Sequence, residues 1–245
     1  MIRRKPLKKI STSARASIIR VSSGISGLDK LIEGGFVKGS TILITGGTGT
    51  GKTTFCAQFI LDGLKKGEPG VYITLEEDPE DIKLDFKRFG FNFEKFEKNK
   101  TFNFVYQNPF EVSDISSTIM NAINSVNAKR VVIDPISLMG MYMKDPAVLR
   151  KRLFEIVRLL KKTGVTTLIT SEIKEDEKGL SRFGVGEFIA DGVIVLQYLN
   201  IGKESFGNLQ IRKLRRTKHE HGWFPINIGG SGIEVSEEEV STILK

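Results

Sequence analysis

From residue 41 onward, short runs of β-branched and apolar residues alternate with longer stretches of helical periodicity. Thr41–Thr45 (TILIT) reads as a buried strand, followed at once by a glycine-rich loop and a helix from about Lys52 to Lys66. Val71–Leu75 (VYITL) is a second strand. Asp78-Pro79-Glu80-Asp81 opens a helix, with Asp as N-cap, Pro at the first helical position and acids in the first turn; Gly90 ends it after about Phe89. Thr101–Tyr106 is a third strand, Val112–Val126 a helix, and Arg130–Asp134 (RVVID) a strand that ends on an acid. Pro146–Thr163 is a long amphipathic helix closed by Gly164, and Thr166–Thr170 (TTLIT) a further strand. Three more strand-like runs follow at Val193–Tyr198, Leu209–Leu214 and Pro225–Ile228. Apolar strands alternating with crossover helices predict an α/β fold with a mostly parallel sheet covered on both faces. The later strands have no long helices between them and are expected to run antiparallel.

Composition narrows this without changing it. The 245 residues are 40 % hydrophobic and 27 % charged, ordinary for one large globular domain that needs no staples. A single cysteine, Cys56, excludes an internal disulfide; with only two histidines, His219 and His221, a Cys/His zinc site is excluded too. Cys56 reads as a small buried residue on the helix after the loop, and its isolation fits a reducing, cytoplasmic compartment. No apolar run approaches the length of a membrane span, and no apolar region follows the basic N-terminus as a secretory signal requires. The net charge is +8; residues 1–20 hold seven basic residues and no acid, which leaves +1 for residues 21–245. We therefore separate a basic tail, 1–20, read as a solvated extension, from one domain, 21–245. Binding of the tail to nucleic acid or another acidic surface is the alternative. Seven phenylalanines between Phe86 and Phe104 are interleaved with lysines, a pattern also used to stack single-stranded nucleic acid. Packing between helix and strand is the reading adopted for them.

The chemistry concentrates in Gly46-Gly47-Thr48-Gly49-Thr50-Gly51-Lys52-Thr53, which fits G-x-x-x-x-G-K-[ST] directly after a predicted strand and at the start of a helix. Glycines let the backbone curl until its N–H groups face phosphate oxygens, and the helix adds its positive end. Lys52 supplies a point charge to the β- and γ-phosphates of ATP, and the Thr53 hydroxyl a ligand to Mg²⁺; Thr54 is counted with the binding residues. Asp134, at the end of an apolar strand, is the expected second magnesium anchor. Glu76 and Glu77 follow the second strand on the carboxyl edge, where ligands gather, and are the candidates to activate water. Adjacent acids point in different directions, so one of them is expected to touch the water; Glu77 is the first choice. Ser171 and Glu172 follow TTLIT on the same edge and are candidate γ-phosphate sensors.

Beyond the loop, Gly24–Phe59 resembles the entry and P-loop of the KaiC-like branch of the RecA superfamily. The resemblance continues through LEEDPEDI (Leu75–Ile82), VVIDPISLM (Val131–Met139), ITSE (Ile169–Glu172), GVGEFIADGVIVL (Gly184–Leu196) and KLRRTKHEHGWFPINI (Lys213–Ile228). It implies a RecA-type P-loop NTPase fold and a homo-oligomeric ring, usually of six subunits, with nucleotide between neighbours. It maps the family's catalytic glutamates onto Glu76 and Glu77. It maps the K-x-R element that reaches a neighbour's phosphate site onto Lys213 and Arg215, with His219 close to the neighbour's nucleotide. Three departures stand out. The clock protein that names the family has two lobes and this chain one. Glu187 and Phe188 occupy the places of the phosphorylated Ser and Thr, which speaks against autokinase activity. Arg216 stands where the family more often has Gly.

Together these readings predict a Mg²⁺-dependent ATP hydrolase that forms a ring and regulates a protein partner not identified by the sequence. A recombinase-like, ATP-controlled DNA-binding protein is the alternative. The mixed charge of the Lys174–Arg182 stretch and the lack of a helix-hairpin-helix domain ahead of the core argue against it. A nucleotide-holding module without turnover is the third reading.

Overall fold

The computed structural model describes residues 17–111, 115–143, 145–173, 189–201 and 204–240. Its elements run β1 (Arg20–Val21), α1 (Leu28–Leu31), β2 (Phe36–Val37), β3 (Thr41–Gly46), α2 (Lys52–Lys65), β4 (Gly70–Thr74) and α3 (Pro79–Arg88). There follow α4 (Glu94–Lys98), β5 (Phe102–Tyr106), α5 (Ile115–Val126), β6 (Arg130–Asp134), α6 (Met139–Tyr142), α7 (Pro146–Thr163) and β7 (Thr166–Glu172). The chain closes with β8 (Gly192–Ile201), β9 (Glu204–Leu214), β10 (Trp223–Gly229) and β11 (Gly232–Val235).

Nine strands form one sheet in the order β11-β10-β9-β8-β3-β7-β6-β4-β5. The six from β8 to β5 are parallel, and β9, β10 and β11 continue antiparallel, so the mixed α/β architecture expected from the alternation is the one observed. The later strands run antiparallel to one another, β8 to β9 and β9 to β10, as expected. β8 lies parallel to β3, with Ile42 opposite Gly192, although no long helix was predicted before it. A parallel neighbour must start at the same edge of the sheet as β3, and β8 does. Strand β7 also runs two residues past the predicted end, so Ser171 and Glu172 belong to the strand and pair with Thr45 and Gly46 of β3.

Two apolar layers cover the sheet. On one face α2, α3 and α4 pack with Tyr72, Val132, Ile44 and Leu168; on the other, α5 and α7 pack with Ile73, Ile133 and Leu43. Cys56 sits fully buried in the first layer, as expected of a small apolar residue on that helix. The phenylalanines belong to this layer too: Phe86, Phe91, Phe93 and Phe102 are buried, and Phe86 stacks on Phe104 at 6.3 Å. They are core, not a stacking platform.

Two helix starts follow the capping logic of the sequence. Asp78 accepts from the Glu80 amide and Asp145 from the Ala147 amide, each ahead of a proline. Gln58 on α2 exchanges both amide hydrogen bonds with the Ile233 backbone of β11, at 3.0 and 2.7 Å. This pins the β10–β11 turn, Gly229 and Gly230, beside the first turn of α2. Arg20, counted with the tail in the sequence, is half-buried in β1. Its guanidinium donates to the carbonyls of Ile32 and Gly35 and to the Thr217 hydroxyl.

Candidate nucleotide site

The carboxyl ends of β3, β7, β6 and β4 converge on one edge of the sheet. Between β3 and α2 the chain turns through the glycine-rich loop. A Cβ at Gly46 would lie 2.2 Å from the Leu196 carbonyl oxygen, so only glycine fits where the loop leaves the sheet. Gly51 caps α2 at φ +92°, and a Cβ there would meet Ile228 at 2.8 Å. Thr48 and Gly49 lie exposed at the loop apex, while Thr50 folds back and donates to the Gly47 carbonyl at 2.9 Å. The Lys52 ammonium donates to the carbonyls of Gly46 (3.1 Å) and Gly47 (2.7 Å), so it rests inside the loop it serves. Burial lowers the Lys52 pKa, and the charges of Glu172 and Asp134 pull it back up.

Asp134 is the best-held side chain on this edge. Its Oδ2 accepts from the Thr53 hydroxyl at 2.9 Å and from the Tyr72 phenol at 2.5 Å, and its Oδ1 accepts from the Thr170 hydroxyl. The pairing of an α2 hydroxyl with a β6 carboxylate is the oxygen-only donor set that suits Mg²⁺, so the residues present fit that ion. Tyr72 and Thr170 were missed at the level of sequence. Strand register would have found them. Thr74 is opposite Asp134, so Tyr72 is its diagonal neighbour on the same face, and Thr170 follows the Ile133–Ile169 pair.

Glu76 and Glu77 leave β4 in a turn fixed by Thr74, whose hydroxyl accepts from both glutamate amides and donates to the Glu77 carbonyl. Both side chains are exposed, and both carboxyls have raised pKa values for different reasons. For Glu76, burial is followed by Glu172, Glu77 and Asp134, with Lys52 opposing. For Glu77, burial is followed by Asp134, Asp85 and Asp81. Glu76 thus feels the charges of Lys52 and Glu172, whereas Glu77 lines a cavity of about 560 Å³ with Thr53, Thr54, Asp85, Phe86 and Arg88. Gly230 closes its far wall. Sequence reasoning did not find this cavity, because its wall is drawn from α3 and a hairpin turn far apart in the chain. Ser171 is buried in β7, and its hydroxyl donates to the Glu172 carbonyl at 3.2 Å.

The other candidates are not brought to this edge. Strand β9 runs antiparallel to β8, so its carboxyl end returns to the amino edge of the sheet. The Arg215 amide donates to the Asp191 carbonyl, and the Asp191 amide to the Thr41 carbonyl, which places Arg215 level with the first residue of β3. The P-loop begins at Gly46, about 17 Å further along that strand. A register shift opposite Val193 and Ile194 skips Arg212 and sets the direction of the following residues. The Lys213 ammonium donates to the Ala190 carbonyl at 2.7 Å, and Arg215 lies 3.6 Å from Asp191. Arg216 adopts a left-handed φ of 60°, so the turn keeps the backbone shape expected of glycine. His219 is half-buried, with Nδ1 2.9 Å from the Glu220 carbonyl oxygen. The Lys174–Arg182 stretch and Glu187 and Phe188 lie outside the described residues.

A P-loop on a parallel sheet, with an acid at the end of a neighbouring strand, defines a nucleotide-binding α/β protein of the P-loop class. The family model described as "ATPase: KaiC" matches residues 21–240, and the chain belongs to the KaiC ATPase family. A UPF0273 protein of Methanopyrus kandleri is 35 % identical over 91 % of this chain and 94 % of its own length. The circadian clock oscillator protein KaiC of Prochlorococcus marinus is 35 % identical over 93 % of this chain, which spans 47 % of that protein. Among solved structures, a KaiC-like protein of Pyrococcus horikoshii is 43 % identical, with a TM-score of 0.83, over 90 % of this chain and all of that one. Among the described residues no helix is long and apolar enough to cross a membrane.

Proposed function

We propose that the chain hydrolyses ATP in a Mg²⁺-dependent manner at sites completed between copies of itself, in a cytoplasmic ring of six that regulates a protein partner. The observation that carries this reading is the separation of the two cationic groups. Lys52 rests in the P-loop, while Lys213 and Arg215 stand at the opposite edge of the same sheet and cannot fold back to it. If they act on a phosphate, it belongs to another copy.

Within one site, the phosphates of ATP would displace the Gly46 and Gly47 carbonyls as partners of Lys52, and the loop amides would take the remaining oxygens. Thr53 and Asp134 would hold Mg²⁺, which neutralises charge on the phosphate oxygens. The nucleoside would extend past Thr54 into the cavity under α3. Of the two glutamates, Glu76 is the one whose carboxyl feels the Lys52 charge, which supports it rather than Glu77 as the base. It orients a water and accepts its proton, with Ser171 on the adjoining strand positioned to sense the leaving phosphate. Arg215, Lys213 and His219 of the neighbouring copy meet the charge that develops on the transferred group.

The test measures ATP hydrolysis and light-scattering mass across protein concentration, with and without single-stranded DNA. Turnover that rises as the mass reaches a ring, and ignores DNA, is expected. Turnover that stays negligible until DNA is added would replace this reading with the recombinase-like one.

A further inference from the structure

We propose that Tyr72 is a positioning residue for the metal end of the site: its hydroxyl fixes the Asp134 carboxylate in the orientation that receives Mg²⁺. This rests on the nucleotide reading above and deepens it.

Binding of a metal would change the partners of Asp134. Three hydroxyls donate to its two oxygens, those of Thr53, Tyr72 and Thr170. On the reading above Thr53 would be the other magnesium ligand, so its bond to Oδ2 would be given up to the ion. The carboxylate is then oriented by Tyr72 and Thr170 alone. Thr170 is a short side chain on the adjoining strand and holds Oδ1. Tyr72 is the only described donor left on Oδ2, the oxygen that faces Thr53.

The phenol is well placed for this because it is immobile. Tyr72 is fully buried, and its ring packs between Phe104 at 4.8 Å and Phe86 at 5.9 Å. A single hydrogen bond from a rigid, water-excluded ring fixes a carboxylate better than one from an exposed side chain, since little freedom remains to be lost. Phe86 also lines the cavity next to the loop, so one buried ring joins the wall of that cavity to the metal anchor. A phenylalanine at this position would keep the ring's contacts with Phe86 and Phe104. The hydroxyl is therefore not needed for packing.

Tyr72→Phe keeps the ring contacts and removes only the donor. The full-length variant and the unaltered chain are compared by binding of a fluorescent ATP analogue, titrated with MgCl₂ and repeated in EDTA. Circular dichroism confirms that both are folded. The variant is expected to need about tenfold more Mg²⁺ for half-maximal enhancement of binding. Its affinity in EDTA should stay within about twofold of the original, because no contact to nucleotide is removed. An unchanged Mg²⁺ requirement overturns the inference. So does an affinity loss of equal size with and without Mg²⁺, which marks a packing role. If the unaltered chain itself shows no Mg²⁺-dependent nucleotide binding, the nucleotide reading falls and this inference with it.

Discussion

The two ends of strand β3 carry opposite chemistry. At its carboxyl end the P-loop opens into an edge rich in acids: Asp134, Glu172, Glu76 and Glu77, with Asp78, Glu80, Asp81 and Asp85 continuing along α3. At its amino end stand Lys213, Arg215 and Lys161, gathered around Asp191, whose carboxylate lies 2.8 Å from Lys161 and also accepts from the Thr41 amide. The first end holds Lys52 and the hydrogen-bonded Asp134. The second holds cations that contact the Asp191 carboxylate and the Ala190 carbonyl. A sheet with opposite charges on its two edges is suited to head-to-tail contacts, in which the basic edge of one copy meets the acidic edge of the next.

The sharpest way to break that comparison is to ask whether the two edges work in one chain or across two. Arg215→Ala is expected to lower turnover about a thousandfold, the scale of an arginine supplied in trans, while nucleotide binding by the P-loop persists. Lys52→Ala is expected to be inactive as well. Mixing the two inactive proteins should restore activity, because about a quarter of the interfaces in a random ring pair an intact loop with an intact arginine. The measurement is phosphate release from the mixture against each protein alone. No recovery at any ratio would confine both edges to the same chain, against their separation along β3.

A second comparison lies within the acidic edge. Glu76→Gln should lower turnover by about a hundredfold or more, with nucleotide binding retained, and Glu77→Gln by less. The reverse order would return the role to Glu77. The charges facing Glu76 also set a pH dependence. Burial, then Glu172, Glu77 and Asp134, raise its carboxyl above the usual 4.5, while Lys52 opposes. A water-activating carboxylate must be ionised, so turnover should fall with acid at a pH above the ordinary glutamate range. Glu172→Gln should move that acid limb to lower pH. The linked stability has the opposite sign from a salt-bridged acid. Between the ordinary and raised values the folded chain holds the proton more tightly than the unfolded one, so stability falls as pH rises through that window. Glu76→Gln should therefore melt no lower than the original chain at pH 7, checked by calorimetry.

Most of the architecture was legible because local signals and tertiary packing agree. Arg130–Asp134 and Pro146–Thr163 appear with the predicted bounds: the first is centred on three β-branched residues, Val131, Val132 and Ile133, and the second carries Asp145 and Gly164 as its caps. What escaped depends on partners distant in the chain. Strands β1, β2 and β11 are too short to show a period. The direction of β8 follows from its place beside β3, which no local pattern records. The loop, Asp134 and the glutamate pair could be found because each follows a recognisable strand. The hydroxyls of Tyr72 and Thr170 look like ordinary strand residues until the register sets them beside Asp134. The roles of Lys213, Arg215 and His219 came from resemblance alone; the fold adds that they stand on the far edge.

The smallest effect concerns the turn after that basic edge. Arg216 holds a left-handed φ of 60°, which costs a non-glycine residue about 1 kcal/mol. The turn is held from outside: the Arg20 guanidinium donates to the Arg216 carbonyl at 3.4 Å and to the Thr217 hydroxyl at 2.9 Å. Arg216→Gly keeps both bonds, relieves the backbone, and adds some freedom to the unfolded chain in return. The net change should be a gain of about 0.5 kcal/mol, a rise in melting temperature of about 1–2 °C. The same variant separates the shape of the turn from its charge. Unchanged turnover would leave Lys213 and Arg215 as the cations that matter at the basic edge. A loss of turnover from a more stable protein would make Arg216 a third, supplied by a position where the turn alone would have favoured glycine.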